Sequence, residues 1–296
     1  MKYYYTLYGL LIESMLPLPE LLEVDASHQS TPADVRVILD RDQQYSLPDQ
    51  KTQTAYLLQI PDVGRYFIDA GHEIIVQPDP DTSDVMIRLY LLGTAFGLLL
   101  YQRGLLPFHA SSVETPHGAV LIAGNSGVGK STTAAAFHQK RGYRLIADDV
   151  SVTYVEQGYP YVLPAYPQVK LWSNSLQMLE LPSDHLQRVT SSDDKFAVPI
   201  RDGFLSDPTR ICALFVLVSA NVDDLHLMHL SYAEKVLVLQ RQLYRIGLMR
   251  QVNPAVLPFD MAAAFLQHVQ IARILRPQGG NSLDSVLELI EQSLTH

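Results

Sequence analysis

The chain has 296 residues, 47% of them apolar, 18% charged and 9% aromatic, and its 22 Lys and Arg against 31 Asp and Glu leave a net charge of -9. That composition is too apolar for a disordered chain and has no collagen-like glycine period; the length suits one large domain, or one large and one small. The acidic balance and the lack of any Lys/Arg cluster argue against a nucleic-acid partner, and a single cysteine, Cys212, excludes an internal disulfide and fits a reducing cytoplasm.

The opening MKYYYTLYGLLIESMLPLPE reaches Glu13 early and offers no small-residue cleavage site, so no signal peptide is expected. Period-two runs follow, ADVRVILD, TAYLLQI, GRYFIDAG and HEIIVQ, and residues 1–80 read as a small strand-rich unit. The most hydrophobic stretch, Val85 to Tyr101, contains Arg88 and is short for a membrane span. A buried core helix is expected there instead, capped by Asp81 or Ser83 and stopped near Gly104, and no membrane association.

From about residue 81 to 296 strands and helices mix. GAVLIAG reads as a strand, STTAAAFHQKR as a helix stopped by Gly142, YRLIAD as a strand, VSVTYV and YPYVLP as a hairpin around Gly158, and ICALFVLVSA as a buried strand. Ser231 and Glu234 form the S-x-x-E pattern of a capping box, and a last helix is expected from Ser282. His226 and His229 in LHLMHL fall on opposite faces of a strand and make a poor metal pair, and residues 182–195 form a polar loop.

Gly124-Asn125-Ser126-Gly127-Val128-Gly129-Lys130-Ser131 matches G-x-x-x-x-G-K-[ST], with an apolar strand before it and a helix after it. In such a phosphate-binding loop the glycines let backbone N–H groups face the phosphates, Lys130 reaches the β- and γ-phosphates, and the Ser131 hydroxyl ligates Mg²⁺. Thr132 follows in the helix whose positive dipole end faces the same anion. ATP and Mg²⁺ are the cofactors this implies. Asp148 and Asp149 end the next strand only 18 and 19 residues after Lys130. Adjacent carboxylates diverge, so one can serve the metal while the other takes a proton from an attacking hydroxyl.

The segment FHASSVETPHGAVLIAGNSGVGKSTTAAAFHQKRGYRLIADD resembles the core of the HPr kinase/phosphorylase family. There a histidine precedes the strand, as His109 stands fifteen residues before Gly124, and an aspartate pair follows the helix, here one residue farther from Lys130 than in the family. The resemblance implies an α/β fold, a kinase core with a mixed sheet and flanking helices. It makes Asp148 the general base, Asp149 the Mg²⁺ partner, and His109 a group beside the transferring phosphate. It also implies an oligomer. The family's Glu-x-Arg-Gly signature is absent after the aspartates, where the chain reads LPAYPQVKLWSNSL. That wording and YGLLIESMLPLPEL resemble the HPr-kinase-like proteins of lasso-peptide biosynthesis, which implies as acceptor a serine hydroxyl of a peptide or small protein and makes HPr the second choice.

A small hydroxyl metabolite and an HPr protein are the alternative acceptors, and a non-catalytic nucleotide switch the alternative class, although neither LSGGQ nor N-K-x-D is present. Lys170 beside an apolar strand is a candidate to meet an acidic substrate group or the phosphate but is expected to snorkel, Trp172 is expected to pack at a core or rim, and His117 and His138 to be structural. Lys195, Arg250, Arg273 and Arg276 are candidate charge stabilisers among which the sequence does not choose.

Overall fold

The computed structural model describes all residues except 26–30, 48–53, 191–193, 253–256, 279–281 and 296, so part of the 182–195 stretch lies outside the described residues. The fold is mixed α/β. Strands within residues 3–78 form one seven-stranded sheet in the order Leu22–Glu23, Tyr3–Leu7, Leu10–Ser14, Val35–Leu39, Glu73–Pro78, Gly64–Asp69, Ala55–Ile60. Its alternating runs send one face inward, with Tyr66 and Ile68 of Gly64–Asp69 fully buried.

A long apolar helix follows, Asp84–Tyr90 continuing through a wider turn at Leu91–Ala95 into Phe96–Gln102. Ser83 caps it by accepting from the Met86 N–H, and Gly104 at φ 78° follows its last turn. By length and composition this helix could cross a membrane, yet 67% of its apolar window is buried inside the protein, as a core helix would be.

The second sheet has nine strands. Gly118–Gly124 lies between Ala110–Thr115, its antiparallel partner, and Thr209–Ala220, its parallel one; Gln270–Pro277 runs parallel on the far side of Thr209–Ala220. Period two divides this sheet between two cores. Leu121, Ala123, Leu214 and Val216 face the cluster that holds the long helix and the first sheet. Val120, Ile122, Phe215 and Leu217 face the helices Lys130–Arg141 and Leu283–Leu294. Coverage on both faces explains why GAVLIAG and ICALFVLV are continuous apolar runs rather than alternating ones.

A third sheet, Gln168–Trp172, Lys195–Pro199 and Gln187–Arg188, packs Val169, Leu171, Phe196 and Val198 into the second core. The capping box at Ser231 forms in full, with Ser231 accepting from the Glu234 N–H and Glu234 accepting in return. His226 and His229 are both exposed at the ends of their strand.

Leu99 is fully buried in the long helix within the core shared by both large sheets. Leu99→Ala is expected to destabilise the protein by about 2–5 kcal/mol. Urea unfolding measures this, with one transition expected for both sheets.

Candidate functional site

The cleft forms where the strand Gly118–Gly124 turns into the helix Lys130–Arg141. Gly124 sits at φ 136°, and a Cβ there would meet the Leu217 carbonyl oxygen at 2.6 Å, so only glycine allows the strand to leave the sheet this way. Its N–H donates to Gln242 Oε1 at 3.0 Å, while the His109 N–H donates to the Gln242 carbonyl at 2.7 Å. One glutamine thus ties the loop to the histidine strand. The helix has no side-chain cap and no acid in its first turn, which leaves its N–H groups suited to an anion.

Lys130 is buried, with all three ammonium protons committed: to the carbonyls of Gly124 at 3.0 Å and Asn125 at 3.1 Å, and to His109 Nε2 at 3.1 Å. The other ring nitrogen, Nδ1, lies 3.0 Å from the Asp149 carbonyl oxygen, which can only accept. These partners assign the proton to Nδ1 and a lone pair to Nε2. His109 is therefore neutral. Burial and the adjacent Lys130 ammonium push its pKa below the ordinary histidine value, against the pull of Asp149. Burial likewise lowers the pKa of Lys130.

The two aspartates part company at a tight turn. Val150 N–H donates to the Asp148 carbonyl at 2.8 Å, and Asp149 between them sits at φ 70°, the geometry of a strained three-residue turn. Asp149 thereby turns into the cleft, where it is the one carboxylate among the described lining residues. Its Oδ2 lies 3.4 Å from Lys170 Nζ and its Oδ1 3.5 Å from His109 Nδ1. Burial works against its charge, but the cations Lys170 and Lys195 outweigh that and hold its pKa below the usual carboxylate range.

Asp148 is turned away from the cleft. One oxygen accepts from the Ser111 hydroxyl at 2.6 Å and the other from the Lys170 N–H at 2.8 Å, and only 5% of the residue is exposed. The expected division, with Asp148 toward an attacking hydroxyl and Asp149 toward a metal, is thus not what these side chains present. The turn, rather than strand pleating, separates the carboxylates and exposes the second one.

Lys170 also corrects its expectation. It does not snorkel; burial opposes its charge, yet Tyr166, Asp149 and Asp148 raise its pKa above the ordinary lysine value. Of the four candidate stabilisers, Lys195 and Arg276 line the cleft. Arg273 instead lies 3.9 Å from Glu234, and Arg250 is exposed on the helix Ile246–Val252. Arg276 has a buried Nε without a hydrogen-bond partner among the described residues and backs the loop, since a Cβ on Gly129 would lie 3.4 Å from its Nη1.

Of the loop positions, Ser126, Gly127, Gly129, Lys130, Ser131 and Thr132 line the cleft. Gly124, Asn125 and Val128 shape the turn from outside it; the Val128 side chain is buried. Thr132 shares a hydrogen bond of 2.8 Å with Ser175, Trp172 stands 42% exposed on the rim, and His138 is satisfied at the Tyr143 carbonyl at 3.1 Å. His117 lies elsewhere, beside Cys212. Ser111, Gln242 and Ser175 carried no local signal in the sequence, since each acts through a residue far along the chain.

No protein-family model matches the sequence, and no curated protein matches it. Among solved structures the chain is similar to an HPr(Ser) kinase/phosphatase from Coxiella burnetii, at 14% identity over 63% of this chain and 95% of that one, with a TM-score of 0.33. At that distance function has to be read from the side chains themselves.

Because His109 is held neutral, the native state takes up its proton later than the unfolded chain does, and stability falls as pH drops below about 6.5 toward the histidine's own lower value. His109→Gln should lose less unfolding free energy than the parent between about pH 7.5 and about pH 5.5. Urea titrations at the two pH values measure it, and equal losses in both proteins would contradict the assignment.

Proposed function

We propose that this protein is an ATP- and Mg²⁺-dependent phosphotransferase that moves a phosphoryl group onto a hydroxyl. The observation that carries this reading is one ionised carboxylate, Asp149, sharing a cleft with a glycine-rich helix start and with Lys130, Lys170, Lys195 and Arg276. The cleft fits a nucleotide's phosphates in that the buried Nε of Arg276, which backs the loop, lacks a partner among the described residues. No group of three or more His, Cys, Asp or Glu side chains able to hold a metal occurs among the described residues, so Mg²⁺ would be held by Ser131 and by the phosphate oxygens.

When bound, the magnesium nucleotide supplies the phosphoryl group and a counter-charge for it. Lys130 would exchange one of its present partners for a phosphate oxygen, and His109 would then accept or release that ammonium without carrying charge itself. Arg276 and Lys195 would offset the charge on the transferring group. Asp149, kept deprotonated by its cationic neighbours, would accept the proton of the acceptor hydroxyl as the new bond forms. Asp148 is assigned a positioning role, because its two bonds fix Ser111 and the strand that carries Lys170.

The acceptor we propose is a serine hydroxyl of a peptide or small protein, supported by the sequence resemblance over residues 108–149, and the compartment proposed is the cytoplasm. Tailoring of a lasso-type precursor is the narrowest form of that reading.

Intact-mass analysis after incubation with Mg-ATP and either a serine-ending peptide or an HPr protein tests the assignment. Asp149→Asn, which still tolerates a left-handed backbone, should lower transfer by about a hundredfold or more while nucleotide still binds. Asp148→Asn should instead lower stability by roughly 1–3 kcal/mol, because one amide oxygen cannot accept from both donors. Full transfer by Asp149→Asn would overturn the proposed base.

A further inference from the structure

The cleft encloses about 960 Å³ with its mouth included, the upper end of the range of about 300–1,000 Å³ that small-molecule sites span, which suits a whole nucleotide better than its phosphates alone. Its lining changes character from one end to the other. His109, Lys130, Asp149 and Lys170 are gathered at the charged end by contacts of 3.1 to 3.5 Å. The loop leads from there to Thr132, whose hydroxyl meets Ser175 of the short helix Ser173–Met178 at 2.8 Å. Around this contact the lining turns apolar, with Trp172, Met178 and Leu283. Trp172 lies two positions beyond Lys170 on the same face of its strand, about 7 Å farther along it.

Trp172 and Met178 are 42% and 43% exposed, two large apolar side chains left facing a cleft that is otherwise polar. Apolar groups gathered at the mouth of a polar site, rather than scattered over a surface, fit a ligand that is charged at one end and apolar at the other. Lys195 pairs with Trp172 across the two strands and holds its ammonium 5.9 Å from the indole ring centre, which keeps the ring at the mouth. The loop sets the direction of such a ligand. Its lysine serves the β- and γ-phosphates, and Asp149 stands at the reacting end, so a nucleotide's ribose and base leave on the Thr132 side. An acceptor has to reach Asp149 and so enters from the other end.

We infer that Trp172, Met178 and Leu283 form a nucleobase subsite, in which the base stacks on the open part of the indole and the two aliphatic side chains cover its remaining apolar surface. The inference rests on the nucleotide-binding part of the phosphotransferase reading and adds which residues tell a nucleoside triphosphate from a bare chain of phosphates. Trp172 is a binding residue here and takes no part in the chemistry. Stacking of a base on an aromatic side chain accounts for about a fivefold to a hundredfold gain in affinity.

Trp172 is the chain's only tryptophan, so tryptophan emission reports on this subsite alone. Mg-ATP and magnesium tripolyphosphate, which keeps the phosphates but lacks ribose and base, are titrated into the full chain, with binding measured by calorimetry and emission recorded alongside. Both should bind, and only Mg-ATP should change the emission. Trp172→Ala should weaken Mg-ATP binding by about tenfold or more and leave tripolyphosphate binding within about twofold of the parent, while Trp172→Phe, which keeps an aromatic face, should recover most of the loss. Circular dichroism reports whether each variant is folded; were the alanine variant unfolded, the contrast between the two ligands in the parent's emission decides. Unchanged emission on binding Mg-ATP, no loss of Mg-ATP affinity in Trp172→Ala, or equal losses for the two ligands would overturn the subsite and leave the phosphotransferase reading standing. Binding of neither ligand by the parent would remove both.

Discussion

A single partly buried carboxylate is the counter-charge, among the described lining residues, in a cleft that gathers Lys130, Lys170, Lys195 and Arg276. Asp149 has a side chain 27% exposed and lies among Lys170, His109 and Lys195, with Lys130 one imidazole away. Burial works against ammonium charge here and lowers the pKa of Lys130, with Asp149 and Asp148 acting in the opposite sense. Lys170 keeps its charge because Asp149 faces it, and Asp149 faces it because the backbone at that residue adopts a left-handed turn. The strain of the turn is offset by the charge pairing it makes possible.

The scaffold makes that arrangement rigid. Strands covered on both faces carry the loop, the histidine and Arg276, and the alternation of Leu121 with Ile122 and of Val216 with Phe215 locks their register. Asp148 contributes from behind by bonding to Ser111 on one strand and to the Lys170 backbone on another. Gln242 does the same for the loop and His109. These neutral or fully satisfied contacts let the cleft hold a cluster of cations without losing its shape. The first sheet takes part as well, since the Tyr8 hydroxyl donates to the Val150 carbonyl at 3.3 Å, one residue beyond Asp149.

Features encoded within a few residues were legible in the sequence. The glycine-rich loop, the Gly142 stop, the capping box at Ser231 and the hairpin around Gly158 each depend on neighbours along the chain, and each is present. The core helix was legible from its apolar run and Arg88, though not the wider turn at Leu91–Ala95, which has no marker residue. Environment was not legible. Lys170 sits in a strand that looks amphipathic, and only the packing of that strand against the Asp148 turn converts it from a surface lysine to a buried one. The choice of Arg276 over Arg273 turns on register, because successive positions along Gln270–Pro277 reach different surroundings. The divergence of Asp148 and Asp149 was expected, but its sense was set by a backbone turn that residue identities alone do not announce.

Asp149, and not Asp148, is the carboxylate we propose to meet the reacting groups, opposite Lys130 and Arg276. A crystal structure with Mg²⁺, a non-hydrolysable ATP analogue and a serine-containing acceptor tests it most directly. The terminal phosphate is expected on the loop within hydrogen-bond reach of Lys130 and Arg276, with an Asp149 oxygen directed at the acceptor hydroxyl and Asp148 still bound to Ser111. A nucleotide seated elsewhere, or Asp148 released from Ser111 to face the acceptor, would contradict it.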